Sequence, residues 1–276
     1  MTLRPSIALV LGAGGFRGRA SLGVLRRLRC ENVPIDAIVG VSAGALIAGY
    51  HAGVGWPVDE CIGQVSQLGS RMLLAYGASR SRIPALSRMA SGYAGRIEEW
   101  LTLLDRASFD VLHHGVKKIG ILAFDLRSRR LILFATGQDN DGLGLGQAVR
   151  GSAAVPFILG PFSVKGRSSE YRLIDGGLVD SVPVERAFAP PISADCVIAV
   201  DIGRDPRGAL RRRHLAKGPL KDRLVILRPR VGLGGTIVTR RGLVSRQVEA
   251  GERAVTPDAL SRIRSWLPET PKEKVV

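Results

Sequence analysis

The stretch Gly40-Val-Ser-Ala-Gly-Ala45 has the pattern of a sharp turn between a strand and a helix. A mostly apolar run at 35–41 leads into it, and a run of small residues at 43–52 follows. Such a turn holds a serine hydroxyl at the start of a helix, where unpaired backbone N–H groups favour negative charge. The pattern predicts that Ser42 is a nucleophile. A glycine-rich turn between a buried strand and a buried helix is the alternative.

The chain before this turn has the pattern of a β-α-β unit. An apolar run at 7–11 is typical of a buried strand, and the glycines at 12–15 form a turn after it. The next segment carries apolar residues at helical spacing, with Leu22 and Leu25 among them, and then leads to the strand before Ser42. This order predicts a three-layer α/β/α fold with a mainly parallel central sheet.

The rest of the chain has the patterns of further strands and helices, without an internal repeat or a clear linker. The predicted strands are 118–125, 131–135, 172–175, 196–201 and 224–227. A short helix is predicted at 145–151 and a mostly helical region at about 237–267. We therefore expect one domain over residues 1–276.

Two basic segments interrupt these patterns. Residues 61–97 contain five arginines and no Asp or Glu, with Met, Leu and Tyr among them. The segment is interpreted either as an irregular insertion with a solvated basic face or as a lid over the active site that contacts an anionic lipid surface. Residues 204–223 hold eight Lys or Arg against two Asp, and we predict an exposed basic loop there.

The overall charge is strongly positive. The formal net charge is +16, and 33 of the 40 basic residues are arginine, a bias that fits a bacterium with a GC-rich genome. A field of this sign suits nucleic acid or an anionic membrane face. Aromatic residues make up only 5% of the chain and no nucleic-acid-binding motif is present, so no nucleic-acid partner is expected. Peripheral contact with an anionic membrane is the better hypothesis.

Cysteine usage and hydropathy indicate a compartment. The three cysteines are Cys30, Cys61 and Cys196, and they lack C-x-x-C spacing. This fits a reducing environment and predicts neither a disulfide framework nor a zinc site. The apolar run at 7–11 is too short for a signal peptide or a membrane span. The expectation is a cytoplasmic protein that visits the inner face of the membrane.

A serine nucleophile needs donors for the negative oxygen of its tetrahedral intermediate. The turn after the first strand offers them, because Gly14, Gly15 and Phe16 supply consecutive backbone N–H groups at a helix N-terminus. Arg17 adds positive charge beside them. These four residues are the predicted oxyanion hole.

The same glycines have a second interpretation as a dinucleotide-binding fingerprint. Gly12, Gly14 and Gly18 give G-x-G-x-x-x-G, a weak variant of that motif. The fingerprint needs an acidic residue at the end of the second strand. Glu31 and Asp36 come before that strand or at its start, so the sequence disfavours nucleotide binding.

None of the four histidines has the setting of a catalytic base. His51 lies in the predicted helix after the Ser42 turn and is expected to pack or cap. His113 and His114 precede a strand in a polar stretch, which favours surface positions. His214 lies in the basic 204–223 segment.

An aspartate is the better candidate for the base. Asp175 ends a predicted strand and is followed by Gly176 and Gly177, which allow close approach of backbone or substrate. Carboxyl ends of parallel strands line one crevice, so Asp175 is expected near Ser42. An aspartate shielded from water there has a raised pKa and can act as general base. Asp125 and Asp201 near strand ends are interpreted as structural, and Asp180 as a cap of the next helix.

Three ordered motifs resemble those of the patatin-like phospholipases. They are Ala13-Gly-Gly-Phe-Arg-Gly18, Gly40-Val-Ser-Ala-Gly44 and Asp175-Gly-Gly177, and the resemblance covers roughly residues 5–203. It implies a Ser–Asp dyad of Ser42 and Asp175, an oxyanion hole in the Gly14–Gly15 turn, and lipid acyl hydrolase activity without metal or cofactor.

Two residues depart from the family pattern. Ala13 stands where the family usually has glycine, and Phe16 where a small residue is common. Ala13 is a mild change if its backbone torsions are ordinary, and Phe16 is placed to narrow the acyl pocket. The sequence thus predicts a hydrolase for carboxylic esters of lipids, a phospholipid or lysophospholipid. A binding or regulatory protein of the same fold, with little turnover, is the alternative.

Overall fold

The structure is a computed structural model that describes residues 4–67, 76, 95, 97–156, 158–203, 205–232 and 242–268. Its centre is one sheet with the strand order β5-β6-β3-β2-β1-β7-β8, and β4 pairs with β3. The strands are β1 (Ile7–Leu11), β2 (Ala37–Val41), β3 (Lys118–Asp125), β4 (Arg130–Ala135), β5 (Phe162–Lys165), β6 (Glu170–Asp175), β7 (Cys196–Val200) and β8 (Leu224–Leu227).

Pairing within the sheet is mainly parallel. β3, β2, β1, β7 and β8 run parallel to one another, whereas β4, β5 and β6 add antiparallel pairs at the β3 end. All five residues of β1, of β2 and of β7 are buried. Strands covered on both faces are apolar throughout, which explains the unbroken runs in the sequence.

Helices cover both faces of the sheet. They are α1 (Ala20–Cys30), α2 (Ala43–Ala48), α3 (Val58–Gln67), α4 (Leu145–Ser152), α5 (Val184–Phe188), α6 (Pro206–Lys217), α7 (Leu243–Ala254) and α8 (Pro257–Arg264). Alternate strand residues belong to two separate apolar clusters. Leu9 belongs to the cluster that contains residues of α1, α2, α4 and α8, and Val10 to the cluster that contains residues of α5 and α6. The predicted three-layer α/β/α fold is therefore confirmed.

β2 and β6 pair with the same edge of β3 and meet end to end along it. β4 occupies the opposite edge along residues 120–125. Val41 at the end of β2 pairs with Leu122, and Asp175 at the end of β6 pairs with the next residue, Ala123. β2 is parallel to β3 and β6 is antiparallel, so the carboxyl ends of both strands face each other. This geometry brings the residue after β2 beside the last residue of β6. The expected proximity is observed, but the expected reason is wrong, because β6 is antiparallel to β3 and meets β2 end to end.

Most predicted elements are observed with small changes of bounds. The strands at 7–11, 118–125 and 224–227 have the predicted limits, and the second strand begins at Ala37 instead of residue 35. α7 and α8 lie within the region predicted to be helical at 237–267, of which 237–241 are outside the described residues. Of the 61–97 insertion, only 61–67, 76, 95 and 97 are described. Within the described ranges no helix is long and apolar enough to cross a membrane.

The prediction of a basic loop over 204–223 is wrong, because 206–217 form helix α6. Its start signals are local: the Asp205 side chain accepts a hydrogen bond from the Gly208 N–H at 2.9 Å, and Pro206 follows the cap. Arg212 is fully buried on the inner side of this helix and forms a 3.0 Å ion pair with Asp201. The many charged residues of this segment made the helical spacing of its inward-facing residues difficult to recognise in the sequence.

The contact between α1 and α7 is close enough to require glycine. A Cβ added at Gly23 would lie 1.8 Å from the Val248 carbonyl oxygen, and one at Gly251 would lie 1.9 Å from the Ala20 carbonyl oxygen. Each helix therefore presents a glycine to the backbone of the other. Real Cβ atoms do not come this near to backbone, so a larger residue must push the helices apart.

Gly23→Ala is expected to lower the free energy of unfolding by about 1–3 kcal/mol, the usual cost of overpacking a tight core. Gly63→Ala is the matched control, because Gly63 is exposed in α3 with nothing within 4 Å of an added Cβ. That change should raise stability by up to about 1 kcal/mol through helix propensity. Urea denaturation measures both, and equal effects of the two substitutions would contradict the close α1–α7 contact.

Candidate active site

Ser42 lies on a strained elbow between β2 and α2. Its φ is +58° and its ψ is −123°, a conformation that a residue with a side chain rarely adopts. The glycines on either side are needed for space: a Cβ at Gly44 would lie 2.0 Å from the Leu11 carbonyl oxygen, and one at Gly40 would lie 2.6 Å from the Gly44 oxygen. Strain of this kind costs about 1–3 kcal/mol and is common at functional sites.

The hydroxyl of Ser42 donates a hydrogen bond to Asp175. The distance from Ser42 Oγ to Asp175 Oδ2 is 2.6 Å, and the two residues are only 4% and 5% exposed. The second carboxylate oxygen, Oδ1, accepts from the Gly177 N–H at 2.7 Å, which fixes the orientation of the carboxylate. Burial raises the pKa of Asp175, and the two hydrogen bonds only partly offset this effect. The carboxylate is therefore a stronger proton acceptor than a solvated aspartate.

Ser152 holds the elbow from the other side. The Ser42 backbone N–H donates to Ser152 Oγ at 2.9 Å, and the Ser152 hydroxyl donates to the Leu122 carbonyl oxygen at 2.6 Å. Ser152 is completely buried at the end of α4 and links α4, β3 and the elbow. Sequence reasoning gave this residue no role, because a serine near a helix end has no local signal for a distant partner.

The glycine turn after β1 packs against the start of α2. Residues Gly15–Arg19 form a turn of 3-10 helix, and Gly15 has a φ of +54°, which favours glycine. A Cβ at Gly18 would lie 2.5 Å from the Ala43 Cβ, so the turn lies directly beside the elbow. The Arg17 N–H closes the turn on the Gly14 carbonyl at 3.0 Å. The amides at the start of a helix have no partner within it, which leaves those of Gly15 and Phe16 as donors.

Ala13 and Phe16, the two departures from the family pattern, are accommodated differently. Ala13 is not among the residues with positive φ, and its N–H donates to the Ser181 carbonyl at 2.8 Å. A Cβ at Gly177 would lie 2.4 Å from the Ala13 Cβ, so Gly177 provides the space that this alanine needs. Phe16 is buried, and the Arg19 guanidinium lies 4.5 Å from the centre of its ring.

An apolar cavity of about 260 Å³ opens beside Ser42. Gly15 and Phe16 line it together with Ser42, and burial lowers the pKa of the neighbouring Arg19 to about 10. Most other lining side chains are aliphatic or aromatic, including Leu22, Leu46, Ile47, Trp56, Trp100 and Leu159. The described parts of the 61–97 segment contribute Cys61, Gln64, Val65, Tyr76 and Ile97. A hydrocarbon chain fits such a lining, because burial of apolar surface favours binding.

The histidines take other roles. His51 is buried, and its Nδ1 lies 2.8 Å from the Trp56 carbonyl oxygen. Burial outweighs this hydrogen bond and lowers the pKa of His51 to about 4. Its ring stacks on that of His114 at 4.3 Å, and His113 lies next to that pair. His214 is exposed on α6.

The other carboxylates near strand ends are structural. Asp125 accepts hydrogen bonds from the backbone N–H groups of Ser128 and Arg172, both at 2.9 Å, and Asp201 pairs with buried Arg212. The prediction that Asp180 caps the next helix is wrong, since residue 183 is the N-cap of α5 and Asp180 lies 3.4 Å from Arg211. Asp180 is thus paired with a residue of a later helix, α6.

The fold and the elbow define a class: three-layer α/β proteins with a serine on a strand–helix turn. A family model described as patatin-like phospholipase matches residues 9–188. The chain belongs to the patatin-like phospholipase family, which is a family of lipid hydrolases.

Similar proteins support this assignment. An NTE family protein of Mycobacterium tuberculosis is 32% identical over 211 residues, which are 75% of this chain and 52% of that protein. Lysophospholipase NTE1 of Mycosarcoma maydis is 29% identical over 203 residues, 72% of this chain and 10% of that protein. The chain thus spans about half the length of the first relative and a tenth of the second. The crystal structure of VipD from Legionella pneumophila shares the fold, with a TM-score of 0.55 and 13% identity over 95% of this chain and 67% of VipD.

Ser42→Gly is expected to be more stable than Ser42→Ala, although both remove the hydroxyl. Glycine adopts a φ of +58° freely, whereas alanine keeps the strain. We expect the free energies of unfolding to differ by about 1 kcal/mol. Glycine relieves the backbone strain, but part of this gain is lost because unfolded glycine has a higher conformational entropy. Thermal denaturation of the two variants measures it. A Ser42→Gly variant less stable than Ser42→Ala would show that the elbow stores no strain.

Proposed function

We propose that this chain is a lipid acyl hydrolase that cleaves carboxylic esters through an acyl-Ser42 intermediate, with Asp175 as general base. One observation carries the proposal: the 2.6 Å hydrogen bond from Ser42 Oγ to a buried carboxylate, at the edge of an apolar cavity. Membership in the patatin-like phospholipase family and similarity to a protein named lysophospholipase support a phospholipid or lysophospholipid as substrate.

In the proposed reaction, Ser42 Oγ attacks the carbonyl carbon of the ester while its proton passes to Asp175 Oδ2. The carbonyl oxygen becomes negative and accepts hydrogen bonds from the turn at Gly14, Gly15 and Phe16, with Arg17 adding positive charge. Collapse of this intermediate breaks the ester C–O bond, and the leaving alcohol takes the proton from Asp175. The products of this half are the free alcohol and acyl-Ser42.

In the second half of the proposed reaction, water hydrolyses acyl-Ser42. Asp175 accepts a proton from water as the water oxygen attacks the acyl carbonyl, and the same turn stabilises the new oxyanion. The fatty acid leaves when the bond to Ser42 Oγ breaks and the serine recovers its proton from Asp175. The carboxylate must be ionised at the start of each half. Since burial raises the pKa of Asp175, the loss of activity on acidification should begin above the ordinary pKa of 3.8.

A binding protein of the same fold would use the cavity alone. The cavity supports acyl-chain binding without turnover equally well, so the choice between the two functions depends on the elbow. A strained serine hydrogen-bonded to a buried carboxylate costs stability and contributes nothing to holding a chain. This cost favours the enzyme.

Ser42→Ala and Asp175→Asn should each abolish hydrolysis of p-nitrophenyl esters and lysophospholipids, because nucleophile and base act as a unit. The matched controls are Asp180→Asn and His214→Ala. Asp180 is a second aspartate whose pKa burial raises, five residues further on and paired with Arg211, and His214 is exposed on α6. Both controls should keep activity.

Three outcomes would refute the proposed function. A folded His214→Ala variant without activity would replace the dyad by a triad. A folded Asp175→Asn variant with full activity would remove Asp175 as the base. A wild-type chain that binds fatty acid by calorimetry but hydrolyses no ester would establish the binding protein instead.

Gly15→Val should lower kcat far more than it changes KM. A β-branched residue is strained at a φ of +54°, so the turn should shift. Its amide N–H groups would then no longer point toward the oxyanion. Loss of one such donor typically costs about 10²–10³ in rate. Steady-state kinetics with a short-chain ester measures kcat and KM separately, and Gly63→Ala is the control. A folded Gly15→Val variant with normal kcat would make the turn purely structural.

A further inference from the structure

Three strongly exposed apolar side chains lie near the candidate active site. Leu178, Val179 and Leu210 are 62%, 56% and 68% exposed. Of the other three large apolar residues exposed in the described ranges, only Val111 is comparably exposed, and it precedes β3. Exposed apolar side chains that gather in one region indicate an interaction surface, whereas scattered ones need no explanation.

These side chains belong to two segments that contact each other. Leu178 and Val179 directly precede Asp180, Leu210 directly precedes Arg211, and Asp180 lies 3.4 Å from Arg211. The Ser181 hydroxyl donates to Asp205 at 3.1 Å, which joins the same loop to the start of α6. The loop follows the end of β6 and α6 follows the end of β7. β6 ends beside Ser42, and β7 runs parallel to β1 and β2, so both segments lie where the parallel strands have their carboxyl ends, on the same side of the sheet as Ser42.

A buried ion pair determines which side of α6 faces outward. Arg212 is fully buried against Asp201 and also lies 3.5 Å from Asp205, which fixes the rotation of the helix about its axis. Leu210 is then exposed, and Arg207 and Arg213 are exposed one turn before and after it. The outward side of α6 thus presents a leucine between two arginines.

We propose that this surface, formed by Leu178, Val179, Arg207, Leu210 and Arg213, docks the protein on an anionic bilayer. The apolar side chains enter the interfacial region of the membrane, and the arginines contact lipid phosphates. Charge selects this partner, since the chain has a net charge of +16 and Leu210 lies between two exposed arginines. The proposal does not depend on the proposed reaction, because a chain without Ser42 Oγ keeps the whole surface.

Co-sedimentation of the full chain with lipid vesicles tests the proposal, in a Ser42→Ala background so that no lipid is hydrolysed. The Ser42→Ala chain with an otherwise unchanged surface should bind vesicles that contain phosphatidylglycerol. It should bind phosphatidylcholine vesicles much more weakly. Leu178→Ser/Val179→Ser/Leu210→Ser should lower the binding constant about tenfold or more. Arg207→Gln/Arg213→Gln should lower it roughly fivefold per arginine, because a basic residue near an anionic surface contributes about 1 kcal/mol.

The controls are the same types of change elsewhere on the protein. Val111→Ser removes an equally exposed apolar side chain before β3. Lys217→Gln/Lys221→Gln removes two exposed cations, one at the last residue of α6 and one four residues after it. Both should leave binding unchanged. Raising salt from about 0.1 M to about 1 M shortens the Debye length from about 10 Å to about 3 Å and should weaken binding of the wild-type surface.

Several results would overturn the proposal. Unchanged vesicle binding in both surface variants, or equal losses in the controls, would remove this surface as the docking site. A dimer in sedimentation that dissociates in the triple serine variant would identify the surface as an interface between copies. In the chain that retains Ser42, the surface changes should not affect hydrolysis of a soluble ester. Vesicle binding therefore tests the docking surface, and ester hydrolysis tests the proposed reaction.

Discussion

The meeting of β2 and β6 on one edge of β3 is the constraint on which the candidate site depends. Val41 and Asp175 pair with successive residues of β3, Leu122 and Ala123. Backbone hydrogen bonds of the sheet therefore fix how far apart the two strand ends lie. Ser42 follows the first strand directly, and its hydroxyl reaches the carboxylate of the second at 2.6 Å. An antiparallel strand at the end of a parallel sheet thus places a buried acid against the elbow.

The elbow also shows how the fold holds an unfavourable conformation. A serine with a φ of +58° persists only where the surroundings determine it. Here the constraints come from three directions: Gly44 against the backbone of Leu11, the Ser42 N–H on Ser152, and the hydroxyl on Asp175. Each removes an alternative position for the turn. The hydroxyl is consequently held in one orientation, as the proposed attack requires.

Charge has separate roles in the core and on the surface. The ion pair of Arg212 with Asp201 is buried, and removal of one partner from such a pair usually costs about 3–5 kcal/mol because the other charge stays buried. The same pair orients α6, so that its other basic residues face solvent. One arginine of the run at 211–213 therefore serves the fold while its neighbours contribute to the surface field.

The sequence by itself determined the features that depend on neighbours along the chain. The run at 7–11 predicted β1, the glycines around Ser42 predicted the elbow, and the strand signal before Gly176 placed Asp175 at a strand end. The three ordered motifs indicated the family, because each of them is a short continuous stretch of sequence. Each of these signals lies within a few residues, where sterics and hydrophobic alternation act directly on the local backbone.

Only the tertiary structure decided which distant residues meet. Ser42 and Asp175 are 133 residues apart, and Ser152 contacts the elbow across 110 residues. The role of Asp180 was mispredicted for the same reason, since its partner Arg211 lies elsewhere in the chain. The helix at 206–217 was missed for a different reason, because its density of charged residues hid local helix signals. Strand pairing and burial are set by the folded sheet as a whole. The sequence predicted that Asp175 ends a strand near Ser42, but the antiparallel direction of that strand and the 2.6 Å contact are set only by the folded sheet.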